Sequence, residues 1–256
     1  MDTHTRDRFT MLWETYCPGA ELPITFELGE AKADAEKMPA PKRWRCFICD
    51  LARVRRGRSV VFDRTSLSCS GASYYLGYET ERSENFRYFL SYGKPGVVES
   101  ERYKKTPELT DEYDKRQASP PAGERCYTFK RWDHLTESDN PDVVIFFARP
   151  EALSALFTLA NFDRADPHGV ICPFGSGCSS IIHYPRIESL SEDPRAVLGM
   201  FDPSARPCVP IDVLTIAVPM KKFEAMILDM EESFLITKTW ERQKGEIARS
   251  NDIHSV

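Results

Sequence analysis

A chain of 256 residues, 41% hydrophobic and 29% charged, is long enough for one large domain or two intimate ones and has the composition of a soluble globular protein. Its formal charge of −5 excludes a general nucleic-acid binder, which needs a basic surface to displace counterions from phosphates. The longest strongly apolar run, Val143–Ala148, falls far short of the roughly 20 residues of a spanning helix, and the polar start Met1–Asp7 lacks a signal-peptide core; both place the chain in the cytoplasm, away from membranes.

In chain order, Phe9, Leu12, Trp13 and Tyr16 recur at helical spacing and predict an amphipathic helix over 5–16, ended by Pro18-Gly19. Leu22–Leu28 alternates as a strand. After a charged stretch to Lys37 and the stiff Met38-Pro39-Ala40-Pro41, a helix is expected over 46–56, with Phe47, Leu51 and Val54 inward and Gly57 as its stop. Ser59–Phe62 reads as a short buried strand leading to a Ser/Gly loop and a helix of small residues from Cys69 onward. Glu99–Arg125 is dense in charge and punctuated by Pro107, Pro120 and Pro121, as expected of an exposed, partly helical insertion that could serve as a lid. Cys126–Phe129 resumes a strand.

Two similar units follow. Strand Val143–Ala148 leads through Pro150 into a helix with Leu153, Leu156, Phe157 and Ala160 on one face. Strand Val213–Val218 leads through Pro219 into a helix lined by Phe223, Met226, Ile227 and Met230. The pattern predicts an α/β or α+β fold, helices packed on a mixed sheet, in a single domain over 1–256 with a tail that frays from about residue 243.

The eight cysteines carry the chemistry. In a reducing compartment clustered thiols bind metal or do redox work, whereas isolated ones such as Cys17, Cys126 and Cys208 read as small buried hydrophobes. Cys46 and Cys49 form the chain's one Cys-x-x-Cys. Cys69-Ser70-Gly71 and Cys178-Ser179-Ser180 each open a predicted helix after a small-residue loop, where unpaired amides and the helix dipole favour a thiolate. Lys42, Arg43, Arg45, Arg53, Arg55, Arg56 and Arg58 surround the pair and would offset the charge of a thiolate-bound cluster.

One Cys-x-x-Cys followed by widely spaced single cysteines suits an iron–sulfur cluster, 4Fe–4S, held between distant segments better than a paired zinc knuckle. Cys46, Cys49, Cys69 and Cys178 are the expected ligands, with Cys172 in reserve and zinc as the alternative metal. A thioredoxin-like site would need a buried strand directly before Cys46, and Pro39–Arg45 is polar and proline-rich. The expected role is electron transfer, or redox or Lewis-acid chemistry on a small molecule, with a redox partner protein or that molecule as its partner. His183 and Tyr184 are the nearest acid–base candidates. The competing class is a non-enzymatic binding protein with structural zinc or merely buried thiols.

The succession of Ala52-Arg53…Gly57, Cys69-Ser70-Gly71-Ala72…Leu76-Gly77, Pro150-Glu151-Ala152-Leu153, Gly175-Ser176-Gly177-Cys178 and Ile216-Ala217-Val218-Pro219 resembles the uncharacterised ArCR family from about residue 10 to 245. The resemblance implies importance for one cysteine of the first pair, Cys46 or Cys49, and for Cys69 and Cys178. The extra cysteines and the charged insertion depart from the family pattern. The family name implies no activity.

Overall fold

The computed structural model describes residues 1–120 and 125–253, with 248–253 as backbone alone. The first helix, α1 (Thr3–Tyr16), is capped by Asp2, whose carboxylate accepts the amides of His4 and Thr5. There follow β1 (Ile24–Gly29), β2 (Glu36–Lys37), α2 (Phe47–Arg55), β3 (Val60–Phe62), α3 (Ser70–Tyr75), α4 (Phe86–Leu90), α5 (Pro107–Lys115) and β4 (Cys126–Arg131). The second half comprises β5 (Val143–Ala148), α6 (Pro150–Leu159), β6 (Val170–Ile171), a π-helical turn at Ser179–His183 running into α7 (Tyr184–Ser189), β7 (Ala196–Gly199), β8 (Leu214–Pro219), α8 (Met220–Asp229) and α9 (Lys238–Ile253).

The strands form one mixed sheet in the order β2-β3-β4-β1-β5-β8-β7-β6, so the fold is α+β. β5 and β8 show why continuous apolar runs were needed at the centre. Val143, Ile145 and Phe147 point into one core, while Val144, Phe146 and Ala148 point into the other. The first core is closed by α2, α3 and the π-turn, and the second by α1, α6, α8 and α9. The two strand–Pro–helix units lie side by side, with Val143 paired to Pro219 and Ala148 to Leu214 in antiparallel register.

A larger repeat contains them. β1–β4 stand in the order 2-3-4-1, and β5–β8 repeat that order outward from the centre. In each half the two outermost strands are parallel (β2 with β3, β6 with β7) and the other pairings antiparallel, as is β1 with β5. A pseudo-twofold between β1 and β5 relates the halves. It makes α2 the equivalent of the π-turn and α7, since each crosses between a parallel pair.

One local expectation changes, and the tail and the charged insertion gain structural detail. Phe157 is 48% exposed, because the buried stripe of α6 runs through Ala152, Leu153, Ala155, Leu156 and Leu159 and leaves position 157 outside it. The tail expected to fray from about 243 continues α9 as helix to Ile253, anchored by buried Trp240 and Ile247, and 254–256 lie outside the described residues. Within the charged insertion, α5 buries Thr110, and the Tyr113 hydroxyl donates to the Phe174 carbonyl at 3.0 Å; residues 121–124 of that stretch are not described. No described helix is long and apolar enough to cross a membrane.

Candidate metal centre

Cys46 occupies the cap position of α2, and the amides of Ile48 and Cys49 approach its sulfur. Cys69 holds the same extended cap position at the start of α3, while Cys178 is already helical and leads straight into the π-turn. Under the pseudo-twofold Cys46 corresponds to Cys178. Cys69 and Cys208 each lie in the connection from the third to the fourth strand of their half.

Short contacts draw these segments together. Ser68 Oγ accepts the Arg45 amide at 2.9 Å, tying the Cys69 loop to the Cys46 turn. Asp202, buried after β7, accepts the Gly177 amide at 3.1 Å and the Ser204 amide at 3.0 Å. Two residues earlier, Met200 has a φ of 71°, a left-handed backbone uncommon for a side chain of this size. Gly177 is forced by crowding: a β-carbon there would stand 3.0 Å from Ala205 Cβ and 3.3 Å from Ile48 Cγ1 and Met200 Sδ. The insertion braces the same region, since Tyr103 donates to Asp202 at 3.1 Å and Lys104 lies 4.1 Å over the Phe174 ring.

The sulfurs of Cys46, Cys49 and Cys208 all lie within 4.8 Å of one another, a group that could hold a metal ion. Cys49 and Cys208 are joined as a disulfide across 159 residues of sequence. Cys69 and Cys178 are free thiols outside this compact trio. Cys69 is close enough to Cys178 to raise that thiol's cost of ionisation. Burial pushes the Cys178 thiol well above its ordinary value, and Cys69, Cys46 and Asp202 add to the effect. Burial also raises Cys46, against its two amides, with Cys69 and Asp202 contributing further. A bound cation would reverse this penalty, because metal ligation deprotonates thiols.

The other sulfurs stand apart. Cys172 is exposed and its thiol is shifted upward by partial burial alone. Cys17 is buried in the second core, which pushes its thiol up to about 12. Cys126 lies at the start of β4 beside Asp63 and Lys37. Cys208, expected to be an isolated hydrophobe, is instead part of the trio. No local pattern marks it, since its partners are brought by the pairing of the two halves.

His183 is 1% exposed and packs against the rings of Tyr75 and Tyr184. Burial pushes it down to about 4, with the Ala118 backbone pulling the other way and Arg82 and Arg186 adding to the fall. Neither ring nitrogen has a well-aligned hydrogen-bond partner among the described residues.

A groove of about 800 Å³ opens over the trio, lined by Pro39–Cys46, Cys49, Ser204, Pro207 and Cys208. Of the seven cations around the Cys-x-x-Cys, Lys42, Arg43 and Arg45 face it. Arg55 turns away to a bidentate pair with Glu21 and stacks 4.5 Å over Phe147.

No curated protein and no solved structure matches the chain. A family model does match, over residues 22–228, a span from just before β1 into α8 that includes Cys46, Cys49, Cys69, Cys178 and Cys208. By that match the chain belongs to the uncharacterised ArCR family, domain of unknown function 169.

Proposed function

We propose that the cysteine centre binds an iron–sulfur cluster of the 4Fe–4S kind and serves electron transfer, or redox or Lewis-acid chemistry on a small molecule. The observation that supports this is the meeting of free Cys46, Cys69 and Cys178 from three separate segments, with Cys49 and Cys208 alongside. With the Cys49–Cys208 disulfide reduced, the five cysteines exceed what one zinc ion takes, and soft thiolates suit iron–sulfur chemistry. Cys46, Cys69 and Cys178 would ligate directly. Cys49 would be the fourth ligand once its bond to Cys208 is reduced.

The surroundings fit that cargo. Amides directed at Cys46 are the kind of donors that tune thiolate ligands, and Lys42, Arg43 and Arg45 offset the negative charge of a thiolate-bound cluster. Binding through three cysteines would leave one iron open to a small molecule in the groove. An electron-transfer protein is the alternative partner at the same opening.

Structural zinc is the second reading, favoured by the trio itself. Tetrahedral zinc–thiolate bonds of about 2.3 Å put sulfurs roughly 3.8 Å apart, within the 4.8 Å span of Cys46, Cys49 and Cys208, and Cys49 and Cys208 would both ligate once their disulfide is reduced. The two readings separate by substitution. For a cluster, Cys69→Ser and Cys178→Ser each lose iron and sulfide, whereas Cys126→Ser keeps both. If Cys69→Ser and Cys178→Ser leave bound metal untouched while Cys46→Ser and Cys208→Ser abolish it, the cluster reading fails in favour of zinc.

A further inference from the structure

We infer that the Cys49–Cys208 disulfide is a thiol-exchange site for anionic low-molecular-weight thiols, which enter by the groove over it. The inference goes beyond metal binding and needs no metal to operate.

Four observations converge. The disulfide lines the groove, and Cys49 is exposed there while Cys208 is half-buried, so Cys49 is the sulfur open to attack. Cys46 is a free third sulfur within 4.8 Å of both. Lys42 and Arg43 line the groove, are exposed, and make no ion pair among the described residues. Arg45 binds Asp50 through Nε at 2.8 Å, but its Nη2 is buried with no hydrogen-bond partner among the described residues. Unpaired cations beside an exposed disulfide favour a thiol that carries a carboxylate, both in encounter and in the mixed disulfide.

The exchange balances with the thiol as reductant. A thiolate RS⁻ attacks Cys49 Sγ, forming RS–S(Cys49) and releasing the Cys208 thiolate. A second RS⁻ attacks the R-bearing sulfur, giving RSSR and the Cys49 thiolate. The two protons of the thiols end on Cys49 and Cys208, so two RSH and one protein disulfide become RSSR and two protein thiols. Cys46 offers a competing exit. Its thiolate can attack Cys49 Sγ in the mixed disulfide, closing Cys46–Cys49 and returning RS⁻. Either route leaves the trio differently bonded, so exchange also governs which sulfurs are free for a metal.

The test uses the full 256-residue chain, metal-free, with thiol counting as readout. Before reduction the unfolded protein should titrate six thiols and yield a Cys49–Cys208 linked peptide. Eight titratable thiols, or a different linkage, would overturn the inference. Disulfide reduction is then timed with 3-mercaptopropionate, 2-mercaptoethanol and cysteamine, each rate expressed per thiolate. The anionic thiol should exceed the cationic one by about tenfold, within the range that electrostatic focusing supplies. The double variant Lys42→Glu/Arg43→Glu, changed only at exposed positions, should reverse that order. Equal rates for the three thiols, or an order unmoved by the double variant, would refute it. Finally, Cys46→Ser/Cys208→Ser offered the disulfide of 3-mercaptopropionate should hold the adduct at Cys49; an adduct confined to other cysteines contradicts the mechanism. None of these readouts involves iron or zinc, so the exchange and the metal reading stand or fall separately.

Discussion

The amide of Gly177 donates to Oδ2 of Asp202 at 3.1 Å, and this bond ties the segment ending in Cys178 to the loop that carries Cys208. The same glycine lies where Ile48, Met200 and Ala205 converge, so three segments of the centre close on a position without a side chain. Gly177→Ala should therefore push Ala205 and Ile48 outward and cost about 1–3 kcal/mol, as overpacking a tight interior does. Urea unfolding at neutral pH measures this. Stability equal to the parent would show that the segments do not close as tightly as described.

His183 should give the protein a distinct acid limb. Its folded value, pushed down to about 4 by burial, lies below the ordinary 6.5, so the unfolded chain binds its proton first as pH falls. Stability from this group is complete above about pH 6.5 and is lost as pH falls through the folded value, up to about 3 kcal/mol in all. Because its ring nitrogens find no well-aligned hydrogen-bond partner among the described residues, His183→Phe should fold with stability near the parent at pH 8. The variant should also flatten the decline between pH 6.5 and 4. An unchanged slope there would mean that another group controls it.

Lys130 supplies a buried charge on the central sheet. It is 2% exposed, and its Nζ lies 2.8 Å from Asp139 and 2.6 Å from Asp34. Lys130→Met should destabilise by about 3–5 kcal/mol, since it strands the buried Asp139 carboxylate. Adding Asp139→Asn should recover part of that loss, because the stranded charge is then gone. Denaturant unfolding of the single and double variants checks the coupling. A neutral single variant would contradict it.

The sheet's centre was legible because β5 is an unbroken apolar run and β8 is apolar but for Thr215, and α8 because Phe223, Met226, Ile227 and Met230 keep helical spacing and are all buried. Its edges were not. β2 has two residues and β6 two, and each exists through pairing with a neighbouring strand rather than through any local alternation. β7, four residues long after Pro194 and Arg195, carries too short a period to be seen. The four-strand repeat escaped for the same reason, since it is a property of strand order.

The candidate site divides along the same line. Cys46 announces itself by its Cys-x-x-Cys and Cys69 and Cys178 by small-residue loops at helix starts, local signals with local causes. Cys208 sits in a short 3-10 turn between Pro207 and Val209, and only the meeting of the two halves puts it beside Cys49. The charged insertion likewise shows its acids and lysines in sequence. That Tyr103 and Tyr113 pin it to Asp202 and Phe174 follows only from the tertiary fold.

The central claim is tested most directly by iron, acid-labile sulfide and zinc analysis of the protein purified without oxygen and with its disulfide reduced. A 4Fe–4S centre predicts iron and sulfide in equal amounts, about four of each per chain, in a brown protein whose absorption near 400 nm bleaches on oxidation. Folded protein that is colourless and carries one zinc per chain, or no metal at all, would contradict it.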